Sequence, residues 1–145
     1  MRISGVTLLA LTIAFSGSAQ SEKADSSAKG LVESGLIAYQ KGGASEALKV
    51  WVKGSAMEGN PQALTQANSL RQIEDFYGKP IGYDVVKEYD AGPRVKIVYF
   101  TINYEKGVAF GAFQAYRNSA GQWVSTLFKF HTDAGQVFPQ CLFSG

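Results

Sequence analysis

Residues 81–132 read IGYDVVKEYDAGPRVKIVYFTINYEKGVAFGAFQAYRNSAGQWVSTLFKFHT. Four segments within this run are rich in Val, Ile, Phe and Tyr, residues that suit a pleated, half-buried surface: Ile81–Tyr89, Arg94–Tyr104, Val108–Arg117 and Trp123–Thr132. Between them lie short turn signals: Asp90-Ala91-Gly92-Pro93, Glu105-Lys106-Gly107 and Asn118-Ser119-Ala120-Gly121. Connections this short leave no room for parallel crossovers, so the spacing predicts an antiparallel meander. Its register follows from the turns. The Glu105-Lys106-Gly107 loop suits a type I turn with a glycine bulge, pairing Tyr104 with Val108, and the next loop pairs Arg117 with Gln122. Alternation then sorts the side chains. One face carries Val95, Ile97, Tyr99, Thr101, Ala109, Gly111, Phe113, Ala115, Val124, Thr126, Phe128 and Phe130. The other carries Val98, Phe100, Ile102, Phe110, Ala112, Gln114, Tyr116, Trp123, Ser125, Leu127, Lys129 and His131. The first is the more consistently apolar and is expected under the helices.

Upstream, the pattern is helical. Val32, Leu36 and Tyr39 recur at helical spacing in Ala28–Lys41, which ends at Gly42-Gly43. Ser45 offers an N-cap for a second helix to about Lys53, burying Ala47, Leu48 and Trp51. Asn60 and Pro61 open a third, which runs to Tyr77 with Leu64, Ala67, Leu70 and Ile73 on one stripe, and Gly78 closes it. Ala47–Leu64 looks like one unit of a Sel1-type helical repeat. A solenoid needs about three stacked units, and no second copy follows, so this stretch is read as a helix–turn–helix lid on the sheet.

Met1–Ala19 has a basic start, an apolar run from Val6 to Phe15, and small residues Gly17 and Ala19 at the expected cleavage positions. It reads as a signal peptide cut before Gln20, which places the mature protein in the periplasm or outside the cell. The resulting division is a signal peptide at 1–19, a polar tail at 20–27 and one domain at 28–143. The fold class is α+β: N-terminal helices packed on a curved four-stranded antiparallel meander sheet.

Composition narrows the function classes. Hydrophobic residues make up 46% and aromatics 12%, enough for a real core. Lys and Arg number 14 against 12 Asp and Glu, a balance that gives no electrostatic reason to expect nucleic acid or an anionic membrane as a partner. One His and one Cys make no standard zinc site, and no nucleophile elbow or phosphate-binding glycine loop occurs, so neither metal nor cofactor is expected. Cys141 is either an incidental thiol or an intermolecular bridge. His131 reads as a strand-end histidine.

Three sets of residues carry what the sequence offers as sites. For acid–base chemistry the candidates are Asp84 or Asp75 as base, with Tyr99 or Tyr83 as hydrogen-bond donor. Their plainer reading is solvated carboxylates and a core-lining tyrosine. For a small apolar ligand, Tyr99, Gly111, Phe113, Ala115 and Phe128 lie on the face expected under the helices, where the small residues of the third strand leave space for a ligand or for close helix packing. For an interface, Val98, Phe100, Phe110, Trp123 and Leu127 share the second face with too much apolar area to leave wet. A homodimer through that face would cover it, as would the C-terminal segment Gly135–Phe143 with its Val137, Phe138, Leu142 and Phe143.

Helices followed by a long meander with a Trp in its last strand resemble the NTF2-like (cystatin-like α+β cone) superfamily, and among its members small exported bacterial proteins of uncharacterised function. The likeness covers about residues 30–138. It is carried by Phe76-Tyr77-Gly78-Lys79-Pro80-Ile81-Gly82-Tyr83-Asp84-Val85-Val86, by Val98-Tyr99-Phe100 and Tyr104-Glu105-Lys106-Gly107, and by Tyr116-Arg117 and Gly121-Gln122-Trp123. In such proteins a Tyr-Gly-Lys element joins the last helix to the sheet; Asp84 stands where that element usually has Glu. The superfamily includes isomerases, cyclases, transport adaptors and binding domains, so the resemblance implies a fold more than a function. The expectation is an exported domain that binds a small apolar ligand or a protein partner. The alternative is an isomerase or hydrolase of the same fold.

Overall fold

The computed structural model describes residues 26–144. It contains α1 (Ala28–Gly42), α2 (Ala44–Val52) and α3 (Pro61–Tyr77), then β1 (Pro80–Gly92), β2 (Val95–Tyr104), β3 (Gly107–Arg117) and β4 (Trp123–His131). Two 3-10 turns follow, Ala134–Gln136 and Gln140–Leu142. The strands form one open antiparallel sheet in sequence order, with the helices packed on it. The expected α+β architecture is therefore the observed one. The signal-peptide reading, and most of the polar tail, fall outside the described residues.

Local chemistry sets the helix ends. Ser27 caps α1, its hydroxyl accepting from the Gly30 N–H at 2.9 Å. Asn60 caps α3 through Gln62 N–H at 2.8 Å, with Pro61 in the first turn. Gly78, at φ +85°, closes α3 by donating to the Glu74 carbonyl. The cap expected for α2 is corrected. Gly43 occupies that position at φ +82°, joining α1 to α2 through a single residue, and Ser45 lies inside the first turn, accepting a hydrogen bond from Arg71.

The β2–β3 register departs from expectation by one residue. Tyr104 pairs with Gly107, not Val108, so the turn is two residues long. The end of α3 explains this. Lys106 N–H donates to the Tyr77 carbonyl at 2.9 Å, and Glu105 N–H to the Lys79 carbonyl at 3.1 Å. The ring of Tyr77 lies where a Cβ on Gly107 would be, so this glycine enters the ladder under the ring. A one-residue slip turns every side chain of a strand over. Val98, Phe100 and Ile102 consequently face the helices and are buried, while Tyr99 and Thr101 face away.

At the far end, Arg117 pairs with Trp123 instead of Gln122. This brings Trp123 and Ser125 to the helix side. A shift between Gln114 and Ala115 then leaves Thr126 as the extra residue of a bulge, which returns Phe128 and Phe130 to that side opposite Phe113 and Gly111.

The core centres on Trp51. Its indole lies between α1 and the sheet, with ring centroids 5.4 Å from Phe130, 5.7 Å from Phe128 and 6.0 Å from Phe113. Its Nε1 donates to the Val32 carbonyl at 3.2 Å. A Cβ on Gly35 would collide with the indole, which accounts for a glycine in mid-helix despite a propensity cost of about 1 kcal/mol relative to alanine. Replacing Trp51 with alanine is expected to cost about 3–5 kcal/mol, and Gly35→Ala about 1–3 kcal/mol, in urea denaturation. In a Trp51→Phe background the Gly35→Ala cost should shrink, because the smaller ring yields room; strictly additive costs would show that the indole contact is not what excludes the side chain.

Candidate functional site

The helix side of the sheet, where the sequence places a ligand, is filled by side chains. Phe113, Ala115, Phe128 and Gly111 are buried there. Phe113 and Phe128 stack on each other at 5.9 Å and both meet Trp51. The space that Gly111 frees is taken by the ring of Phe100 from β2. Tyr99 is not among them; the corrected register puts it on the opposite face. Val98 and Phe100, expected on the outer face, are fully buried under the helices. Trp123 packs against the edge of the same core. Of the residues proposed for an interface, Phe110 and Leu127 remain on the outer face, Phe110 half-buried and Leu127 exposed.

One end of that outer face is covered from within the chain. Phe138, just beyond the first 3-10 turn, is buried against Tyr99 and Phe110, edge to face at 5.6 and 5.3 Å. Phe143 adds a third ring beside it at 6.3 Å. The C-terminal segment thus supplies part of the cover that the apolar outer face requires. Burial, then the neighbouring Cys141 and Tyr89, raise the Tyr99 phenol above its ordinary range. Cys141 itself is exposed.

The acid–base candidates are spread over the molecule. Asp84 and Tyr99 lie on the outer face, where the Asp84 carboxylate accepts from Asn103 Nδ2 at 2.8 Å and Tyr99 rests on Phe138. Asp75 is exposed near the end of α3, on the other side of the sheet. Tyr83 is half-buried on the helix side, packed against the core. His131, at the end of β4, accepts from the Asp133 N–H through Nδ1 at 2.9 Å. Among the described residues no group of three or more His, Cys, Asp and Glu could hold a metal ion.

A polar network that sequence reading missed runs through the core. The Tyr39 hydroxyl lies 3.2 Å from Glu74 Oε2, 3.4 Å from the Leu70 carbonyl and 3.0 Å from the Tyr104 hydroxyl. The Tyr39 hydroxyl donates to the carboxylate and the carbonyl, and across the Tyr39–Tyr104 contact either phenol can be the donor. Each of these residues looks ordinary in the sequence: a helix-stripe tyrosine, a strand-end tyrosine and half of an acidic pair. Only the packing of α1, α3 and β2 brings them together. Both rings are buried and the network ties the three elements together, while Glu74, half-buried, also lines a surface depression with Gly42, Ser45 and Arg71.

Burial, the Tyr104 hydrogen bond and the negative charges of Tyr104 and Glu74 push the Tyr39 phenol far above its usual range. Burial likewise raises Tyr104, to about 12. Comparison with protein-family models, with curated proteins and with solved structures finds no match for this chain.

These shifts set an alkaline limit. Unfolded phenols ionise near pH 10, whereas Tyr39 and Tyr104 hold their protons in the folded state, so stability is intact below about pH 10 and falls as pH rises from there. Tyr39→Phe should cost about 1–3 kcal/mol at neutral pH and make the alkaline decline shallower by about 1.4 kcal/mol per pH unit. Urea midpoints between pH 8 and 11.5 measure both, and an unchanged slope would exclude Tyr39 as its source.

Proposed function

We propose that this chain is an exported domain of the NTF2-like kind, that it works by binding rather than turnover, and that it pairs with a second copy through the uncovered half of its outer sheet face. The basic, apolar and small-residue order of Met1–Ala19 supports export to the periplasm or beyond. Three helices ahead of a four-stranded meander support the NTF2-like assignment. The helix side is packed with aromatic rings, so a small apolar ligand of this domain would sit outside that interior.

The observation that carries the interface is a band of apolar side chains across all four strands. Tyr89 stands opposite Ile97, Ile97 opposite Gln114, and Gln114 opposite Leu127; Val95, Tyr116 and Val124 form the next row. Tyr89, Tyr116 and Leu127 are exposed. Phe138 covers only the other end of the face. A second copy suits the band because a sheet face turned about a two-fold axis lays its own band on its partner's. The formal net charge of +2 opposes such pairing little. An isomerase or hydrolase built on Asp84 or Asp75 with a tyrosine is the less supported reading, since Asp84 is held by Asn103 and Asp75 lies across the sheet from Tyr99.

Light scattering on the purified chain, at two concentrations and with and without reductant, tests the pairing. A reductant-insensitive dimer is expected, reduced to monomer by Leu127→Asp or Tyr116→Asp with the melting temperature of the monomer unit kept. A monomer at every concentration would overturn the pairing, and a dimer lost on reduction would assign it to Cys141.

A further inference from the structure

Away from the outer face, two adjoining depressions meet at Gly121, at the end of the sheet where β4 begins. The larger, about 450 Å³, lies between α1, the end of α2 and the start of β4, with Leu31, Val50 and Trp123 supplying its apolar wall. The smaller, about 320 Å³, is bounded by the β1–β2 and β3–β4 turns and holds Arg94 and Arg117. No Asp or Glu lines either one.

The charge arrangement around them is uneven. Glu88 and Asp90 on β1 are both engaged by Lys96, at 2.8 and 3.1 Å, and Lys96 in turn lies 6.0 Å from the Trp123 ring centroid. Arg94 and Arg117 have no carboxylate within ion-pair distance among the described residues. Arg117 Nε donates to the Gly121 carbonyl at 3.4 Å, which holds the guanidinium over the turn. Among the described residues its two terminal nitrogens make no such bond. The Arg117 N–H donates to the Arg94 carbonyl at 2.8 Å, so the two backbones are fixed side by side. Arg94, in the β1–β2 turn, and Arg117, at the end of β3, line the same depression, and a guanidinium fork matches an oxyanion, which accepts two parallel hydrogen bonds from it. Lys53, on the rim of the larger depression, adds a further cation.

We propose that the two depressions form one site for a small amphiphilic anion. Its apolar body lies on Leu31, Val50 and Trp123, and its carboxylate or phosphate head is held by Arg94 and Arg117. Both volumes fall within or near the range of about 300–1,000 Å³ in which small-molecule sites occur. The site names a ligand class for the binding reading above, yet it shares no surface with the proposed dimer band apart from Val124 at the sheet edge.

Isothermal titration of the full chain with decanoate, decyl phosphate and decanol tests it. Decanoate or decyl phosphate should bind at least tenfold more tightly than decanol, and the tighter of the two identifies the head group. Arg94→Gln with Arg117→Gln, both exposed positions, should erase that preference without moving the melting temperature. Equal binding of decanol and the two anions, no binding of any of the three, or an anion preference that survives the double substitution would each overturn the proposal. Repeating the titration on Leu127→Asp separates the two readings: an intact site on a monomeric chain keeps the ligand class, whatever becomes of the dimer.

Discussion

The indole of Trp51 rests directly on the backbone of Gly35, and most of the fold is arranged around that contact. A side chain at Gly35 would push α2 away from α1; a smaller ring at Trp51 would leave a void facing Phe113, Phe128 and Phe130. The contact is also polar. Trp51 Nε1 satisfies its one donor on the Val32 carbonyl, and the Trp51 carbonyl accepts from the buried Ser125 hydroxyl of β4 at 2.7 Å. One residue of a short helix therefore ties α1 to the last strand. No buried side-chain polar atom is left without a partner among the described residues, as a packed interior requires.

The second constraint is the end of α3. The sequence shows Gly78 as a stop, and that reading holds. What it does not show is that Tyr77 reaches over to the β2–β3 turn, accepting a hydrogen bond from Lys106 and laying its ring on Gly107. Turn chemistry alone favoured a three-residue loop. The tertiary contact selects two, and the parity of β2 follows. Helix and strand positions were thus readable from periodicity and turn residues, because those signals are local. The allocation of Val98, Phe100 and Tyr99 to faces was not, because it hangs on a contact between elements distant in the chain. The bulge at Thr126 shows the same thing: nothing in Trp123–His131 marks it, yet it decides that Trp123 and Phe128 can share a side.

The candidate sites divide along the same line. Gly111, Phe113, Ala115 and Phe128 were correctly grouped under the helices, Trp123 was not, and whether these residues enclose space depends on what descends on them. Trp51, legible only as a helix-stripe residue, is what descends. The apolar outer face was legible as a problem that some surface must solve. Phe138 solves it at one end, by packing on Tyr99 and Phe110. The remaining band is built from Tyr89, Ile97, Tyr116 and Leu127, of which only Leu127 had been singled out from the sequence for that role.

The arginines at the mouth of the sheet show why charge counts conceal sites. Across the chain the charges nearly cancel, and that balance argues against a polyanionic partner. Balance over a whole chain says nothing about pairing in space. Lys96 takes both acids of its neighbourhood, and Arg94 and Arg117, with no carboxylate partner among the described residues, line a depression that adjoins an apolar groove. A polyanion needs a long track of cations, whereas one oxyanion needs only a fork or two in fixed geometry. A nearly neutral domain can therefore offer no track for a polyanion and still suit a small acid whose apolar part supplies the rest of the contact.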